Sequence, residues 1–213
     1  MKNTFLILLA CWFCTIPNTV LAQQLSQLLI DGAMKECHTG RIAQDRATRV
    51  AHFKKGEALG EQAVASDDQS AEAHFALFCN LGELMRIHGE LSITSVRGFR
   101  RMTKELDRTL ELAPDHLDAL SAKGTFLVRL PSMLGGDREK GEKLLRYVLL
   151  KEPQSVNARL SLAKSYCANG RHSEALSLAS EALDLAQAQR QDDFLLEAET
   201  VLAQLRTNAS KAN

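Results

Sequence analysis

The chain has 213 residues, with 26 lysines and arginines against 26 aspartates and glutamates, and a mean hydropathy of −0.16. Such neutrality speaks against a general binder of nucleic acid or of anionic membrane, since both rest on a basic surface. The lone tryptophan, Trp12, lies in the amino-terminal leader and the other aromatics are scattered, so no base-stacking platform and no nucleic-acid partner is expected.

The first 22 residues, MKNTFLILLACWFCTIPNTVLA, carry Lys2, an apolar run from Phe5 to Ile16 and a Val20-Leu21-Ala22 ending. That is the order of parts in a secretory signal peptide. A membrane helix would need roughly 20 apolar residues, and Pro17, Asn18 and Thr19 cut this run short. The expectation is a signal peptide over 1–22, cleavage after Ala22, and a periplasmic or secreted mature chain. The alternative is lipid anchoring at Cys11, because "LLAC" resembles a lipobox, although the apolar run before it is short and Trp12 follows it. The leader removes one lysine and no acid, so residues 23–213 stay near neutral and suffice for one domain with a real core. They contain Cys37, Cys79 and Cys167, odd in number and far apart, which implies no disulfide framework. Cys79 and Cys167 read as small apolar residues packed within helices. One pair stays open in an oxidising compartment, because sequence does not place the sulfurs relative to one another.

Strand signals are few, while alanine and leucine recur at spacings of three and four. This predicts helices over 24–37, 43–66, 70–88, 94–112, 116–130, 137–151, 155–168, 172–188 and 191–206. They pair into four hairpins with a terminal helix. In the fourth helix, Val96, Phe99, Leu106 and Leu110 share one face with Thr103, and Arg97, Arg100, Arg101, Lys104 and Arg108 stand against it. With Glu105, Asp107 and Glu111 interleaved, the basic side reads as a solvated face rather than an anion-docking surface.

The hairpins repeat one grammar: a turn mark is followed five residues later by an alanine, as in Asp68 with Ala73, Pro114 with Ala119 and Pro153 with Ala158. Residues 153–186 show it most fully, with Leu162, Ala163 and Tyr166 followed by Gly170, Ala175, Ala179 and Ala182. This resembles the tetratricopeptide (TPR) repeat, with Arg159 at its tryptophan position and Gln187 at its closing proline. The expected fold is therefore all-α, a TPR-like α-solenoid of about four helical hairpins plus a C-terminal helix, spanning 23–213.

One stretch, RLPSMLGGDREKGEKLL (129–145), interrupts the helical pattern. Four residues separate Gly136 from Gly141, as in a phosphate-binding loop, but Glu142 occupies the lysine position, Lys143 the hydroxyl position, and no strand precedes it. An acid there would repel phosphate. Helix grammar accounts for most of it: Pro131 ends one helix, Gly135 and Gly136 permit a reversal, and Asp137 caps the next. Compared with the last repeat, five residues are inserted here, bringing Leu130, Met133 and Leu134. Three large apolar groups in water would forgo about 1.5–3 kcal/mol each, so their burial is expected, either on their own hairpin or lining a pore.

The run "LPSMLGGDREKGEKLL" with its following "EP" turn, set in irregular TPR-like repeats behind a signal, resembles the T component associated with tripartite ATP-independent periplasmic (TRAP) transporters over roughly residues 70–188. The resemblance implies a periplasmic helical protein, usually lipid-anchored, forming small homo-oligomers with a ligand-binding pore and pairing with the transporter's solute-binding protein. On that basis Leu130, Met133 and Leu134 are candidate pore-loop residues for an apolar small ligand.

None of the six histidines has a second histidine three or four residues away, Cys37 and His38 are adjacent and diverge on a helix, and no nucleophile signature is present. No enzymatic activity, metal or cofactor is expected. Two functions follow: a scaffold gripping a protein partner in the groove of the helical array, or a carrier of a small apolar ligand. The repeat register places Glu72, Phe75, Cys79 and Glu83, then Asp118, Ser121, Thr125 and Arg129, then Asn157, Leu160 and Lys164 toward that groove.

Overall fold

The computed structural model describes residues 18–88 and 93–212. Residues 1–17, holding most of the expected signal peptide and the alternative anchor Cys11, lie outside the described residues. The described chain forms α1 (Asn18–Ile42), α2 (Arg46–Ser66), α3 (Ala71–His88), α4 (Ile93–Leu112), α5 (Leu117–Arg129), α6 (Arg138–Lys151), α7 (Val156–Ala168), α8 (His172–Ala188) and α9 (Asp192–Ala212), with one 3₁₀ turn at Ser132–Leu134. No strand occurs among the described residues, and the fold is the expected TPR-like solenoid. None of their helices is long and apolar enough to cross a membrane.

Local chemistry sets the boundaries. Asp45 caps α2 by accepting from the Thr48 amide, and Asp137 caps α6 through the Lys140 amide, each satisfying a donor the first turn leaves free. The largest departures from the expected spans are at the ends. α1 runs on past His38 to Ile42, where Arg41 finds a partner on α3, and α9 continues to Ala212. The buried part of α1 begins at Ser26, while Ala22, Gln23, Gln24 and Leu25 are exposed.

Successive helices pair as hairpins. Among the odd-numbered helices, α1 packs on α3, α5 on α7, α7 on α9, and α9 returns to touch α1. The odd helices are thus an inner row that curls until its ends meet, and the even helices form the outer layer. Close approach within hairpins uses alanines: Ala158, Ala163, Ala175, Ala179 and Ala182 are fully buried in the core of the last two hairpins. The join between the second and third hairpins is built instead from rings. Phe78 and Phe126 meet edge to face at 6.0 Å, Phe99 and Phe126 at 6.2 Å, and Phe75 lies 4.6 Å from His116.

The inserted loop contradicts its expected burial. Met133 is 89% exposed and Leu134 62%, while Leu130 is half-buried. The reason is that the insert closes on itself. Pro131 O accepts from the Leu134 and Gly136 amides, at 2.9 and 3.0 Å, Asp137 N donates to Leu127 O at 2.9 Å, and Gly135 turns the chain at φ 89°. The α5–α6 crossing beneath it is already filled by Leu127 and Leu145, leaving no space for the two side chains.

Candidate functional site

The inner row concentrates its polar groups at two places. Where α1, α3 and α9 converge, Arg41 donates through Nε to Glu83 Oε1 at 2.7 Å and through Nη1 to Asp193 Oδ2 at 3.2 Å, and its guanidinium carbon lies 5.5 Å from the Phe194 ring centroid. Arg86 binds the other Glu83 oxygen at 2.6 Å and reaches toward Glu197 at 4.0 Å, and Lys164 of α7 holds Glu197 at 2.5 Å. The acids Glu83 and Asp193 are nine-tenths buried, so each charge depends on its partner. Burial works against the Arg41 charge, yet the neighbouring Cys37 and Glu83 hold it protonated more firmly than usual. Burial likewise opposes the Glu197 charge, but Lys164, Arg86 and Arg41 outweigh it and set its pKa below the ordinary value.

The second place is the α5–α7 seam. Asn157 Nδ2 donates to Ser121 Oγ at 3.0 Å, and Thr125 donates to the Ser121 carbonyl at 2.8 Å while accepting from Ser161 Oγ at 2.7 Å. Nearby, burial and then the charge of Asp118 push the Glu152 carboxyl up.

Of the expected groove residues, Glu83 and Lys164 therefore meet in the first cluster, with Cys79 buried beneath it, and Ser121, Thr125 and Asn157 meet in the second. Phe75 and Leu160 are corrections: Phe75 is stacked between Phe78 and His116, and Leu160, 1% exposed, belongs to the core of the last hairpins. An inner helix touches neighbours on both sides and its own hairpin partner behind, so a register three residues wide of the groove is already core. Glu72, Asp118 and Arg129 are exposed, and Glu72 sits 3.4 Å from His116. The sequence reading missed Arg41, Arg86, Asp193 and Glu197. Extending the inner-helix register back into α1 and forward into α9 is the signal that would have found them.

Elsewhere polar pairs serve the fold. His74 uses both ring nitrogens, Nδ1 with Glu105 Oε2 at 2.6 Å and Nε2 with Asp68 O at 3.2 Å, tying α3 to α4. Cys167 Sγ lies 3.8 Å from His172 Nδ1 across the α7–α8 turn, but no described group hydrogen-bonds the other ring nitrogen to orient it. No three His, Cys, Asp or Glu side chains among the described residues group as metal ligands. The basic side of α4 is only partly a solvated face. Arg101 clamps Glu57 and Glu61 of α2, and Arg108 pairs with Glu111 and Asp68. A cleft of about 380 Å³ runs along this outer helix, lined by Arg100, Thr103, Lys104, Asp107, Arg108 and Glu111, with no apolar side chain among them.

The acids give a pH signature. Glu36 is held below 4.5 chiefly by its hydrogen bond from His52 and then by Lys55, both at 2.6 Å, and Glu197 is held below 4.5 as described. Depressed carboxyl pKa values lend stability that is fully present above the unfolded value of 4.5 and is lost as pH falls through the folded values. The thermal midpoint of the wild type is expected to fall more steeply below about pH 4.5 than that of a Glu36→Gln/Glu197→Gln double variant. Parallel curves would remove these two acids from the acid response.

The architecture defines an α-solenoid of the TPR class. In keeping with it, the chain is similar in structure to a thermophilic TPR protein of Thermus thermophilus, at 18% identity over 84% of this chain and 99% of that one, with a TM-score of 0.53. It is also similar to MamA AMB-1, at 20% identity over 89% of this chain and 95% of that one, with a TM-score of 0.49. No protein-family profile and no curated protein matches the chain. At such identities the likeness is one of fold.

Proposed function

We propose that the chain is an exported, non-enzymatic TPR-type scaffold that docks a protein partner, acting as a periplasmic accessory of a TRAP-type transporter with the solute-binding protein as that partner. The observation that carries this reading is the loop at the end of α5, where a self-closed backbone holds Met133, 89% exposed, and Leu134, 62% exposed, out in water. Large apolar side chains presented on a fixed frame are suited to anchor in a partner's pocket. The polar inner row offers hydrogen-bonding groups to a polypeptide, and the cleft along α4 is lined by the side chains of charged residues and one threonine. Export rests on the leader, and cleavage after Ala22 would spare the core of α1, which begins at Ser26.

Titration against the purified solute-binding protein of the associated transporter tests this. Met133→Asp/Leu134→Asp is expected to weaken binding by tenfold or more, at about 1.4 kcal/mol per decade, with the melting temperature unchanged because neither side chain is packed. Equal affinity in the folded variant would end the proposal for this loop.

A further inference from the structure

Cys37 on α1 and Cys79 on α3 are distant in sequence but share one buried cluster, at 2% and 8% exposure. Two cross-links frame them. Asn80 Nδ2 donates to Ala33 O at 3.0 Å, and Arg41 Nε donates to Glu83 Oε1 at 2.7 Å. Cys37 lies one helical turn from both Ala33 and Arg41, and Cys79 lies between Ala76 and Glu83 beside Asn80. Cys37 thus sits one turn before Arg41 and Cys79 one turn before Glu83, which places the two thiols one turn below the Arg41–Glu83 rung, on the facing sides of the same helix pair and in one buried cluster.

We propose that Cys37 and Cys79 form a disulfide that staples α1 to α3 when the chain meets a disulfide oxidant. Both are free thiols in this structure, and the third, Cys167, lies on α7 beside His172, outside their cluster. As α1 and α3 come together, their contact favours Cys37 as the first thiolate. The adjoining Cys79 thiol, against burial, lowers the Cys37 pKa, with the Arg41 charge helping and Glu83 and Asp193 opposing. The neighbouring Cys37, burial and the charge of Asp118 raise the Cys79 pKa, with Arg41 opposing. The Cys37 thiolate attacks one sulfur of a disulfide such as oxidised glutathione, releasing one glutathione thiolate and leaving a mixed disulfide. Cys79 then gives up its proton and attacks the Cys37 sulfur, expelling the second glutathione. The two protein thiols lose two protons and two electrons, and the oxidant's disulfide is reduced to two thiols. Because both sulfurs are shut in once the hairpins pack, exchange takes place while α1 and α3 come together during folding.

The test is independent of what the chain binds. Reduced, denatured full-length protein is refolded in a glutathione redox buffer, quenched with an alkylating reagent and digested with trypsin without reduction. Segments 36–41 and 56–86 are expected as one linked species that reductant separates. In the oxidised protein, added reductant is expected to lower the melting temperature by about 5–10 °C, on the scale of closing a loop of this length, and to have no such effect on Cys79→Ser. Recovery of the two segments as separately alkylated thiols, or linkage of either to segment 165–171 instead, would overturn the proposal. So would an oxidised wild type that melts at the same temperature with and without reductant.

Discussion

Gly60→Leu is expected to lower stability by about 3 kcal/mol or more, the upper end of overpacking costs. A side-chain carbon added at Gly60 of α2 would lie 2.8 Å from Leu77 Cα and 3.1 Å from Leu77 N on α3. Those are backbone atoms, so no rotamer change relieves the clash and the two helices must separate. The roughly 1 kcal/mol by which glycine weakens a helix is recovered in the variant but is too small to offset the separation. Gly32 is the control: there an added carbon meets only the end of the Leu59 side chain at 3.2 Å, and Gly32→Ala is expected to be neutral or mildly stabilising. Urea denaturation followed by far-ultraviolet circular dichroism reads both. A Gly60→Leu protein as stable as the wild type would mean that α2 and α3 do not approach as described.

Arg41→Met is expected to cost about 3–5 kcal/mol, the range for breaking a buried ion pair by removing one partner, and to loosen the contact of α1 with α9. The loss comes less from the missing attraction than from what stays behind. Glu83 and Asp193 would face each other nine-tenths buried, with Arg86 left on Glu83 alone and Phe194 without its cation. Adding Asp193→Asn to Arg41→Met should restore part of the stability by removing one stranded charge. Denaturation measures the first effect, and the radius of gyration in solution scattering the second. A single variant with wild-type stability and size would show that the curl of the inner row is fixed by the apolar seams and not by this cluster.

Much of the candidate site was legible only as a register. The turn-to-alanine grammar placed Ser121, Thr125, Asn157 and Lys164 on inner helices, and these do lie at the seams between them. It overreached at Phe75 and Leu160, since a repeat pattern says which face is turned inward but not how tightly the next helix covers it. The loop erred in the other direction. Transfer free energy argued for burying Met133 and Leu134, and would have been right if the crossing below had space. The short hydrogen-bonded turn and the filled α5–α6 crossing leave them outside.

By itself the sequence determined the helices of the described residues and their hairpin pairing, because apolar periodicity, capping residues such as Asp45 and Asp137, and the prolines and glycines between them act over a few residues. It also determined the alanine-lined crossings, since a helix pair can close to that distance only over small side chains. Only the tertiary structure decided that α9 returns to α1, that Arg41 joins Glu83 and Asp193, and that Cys37 meets Cys79. Those contacts depend on the small rotation each hairpin adds to the last. That rotation is summed over the whole row, from the ring-packed join at Phe78, Phe99 and Phe126 to the hydrogen-bonded seam of Ser121, Thr125 and Asn157, and no local stretch of sequence contains the sum.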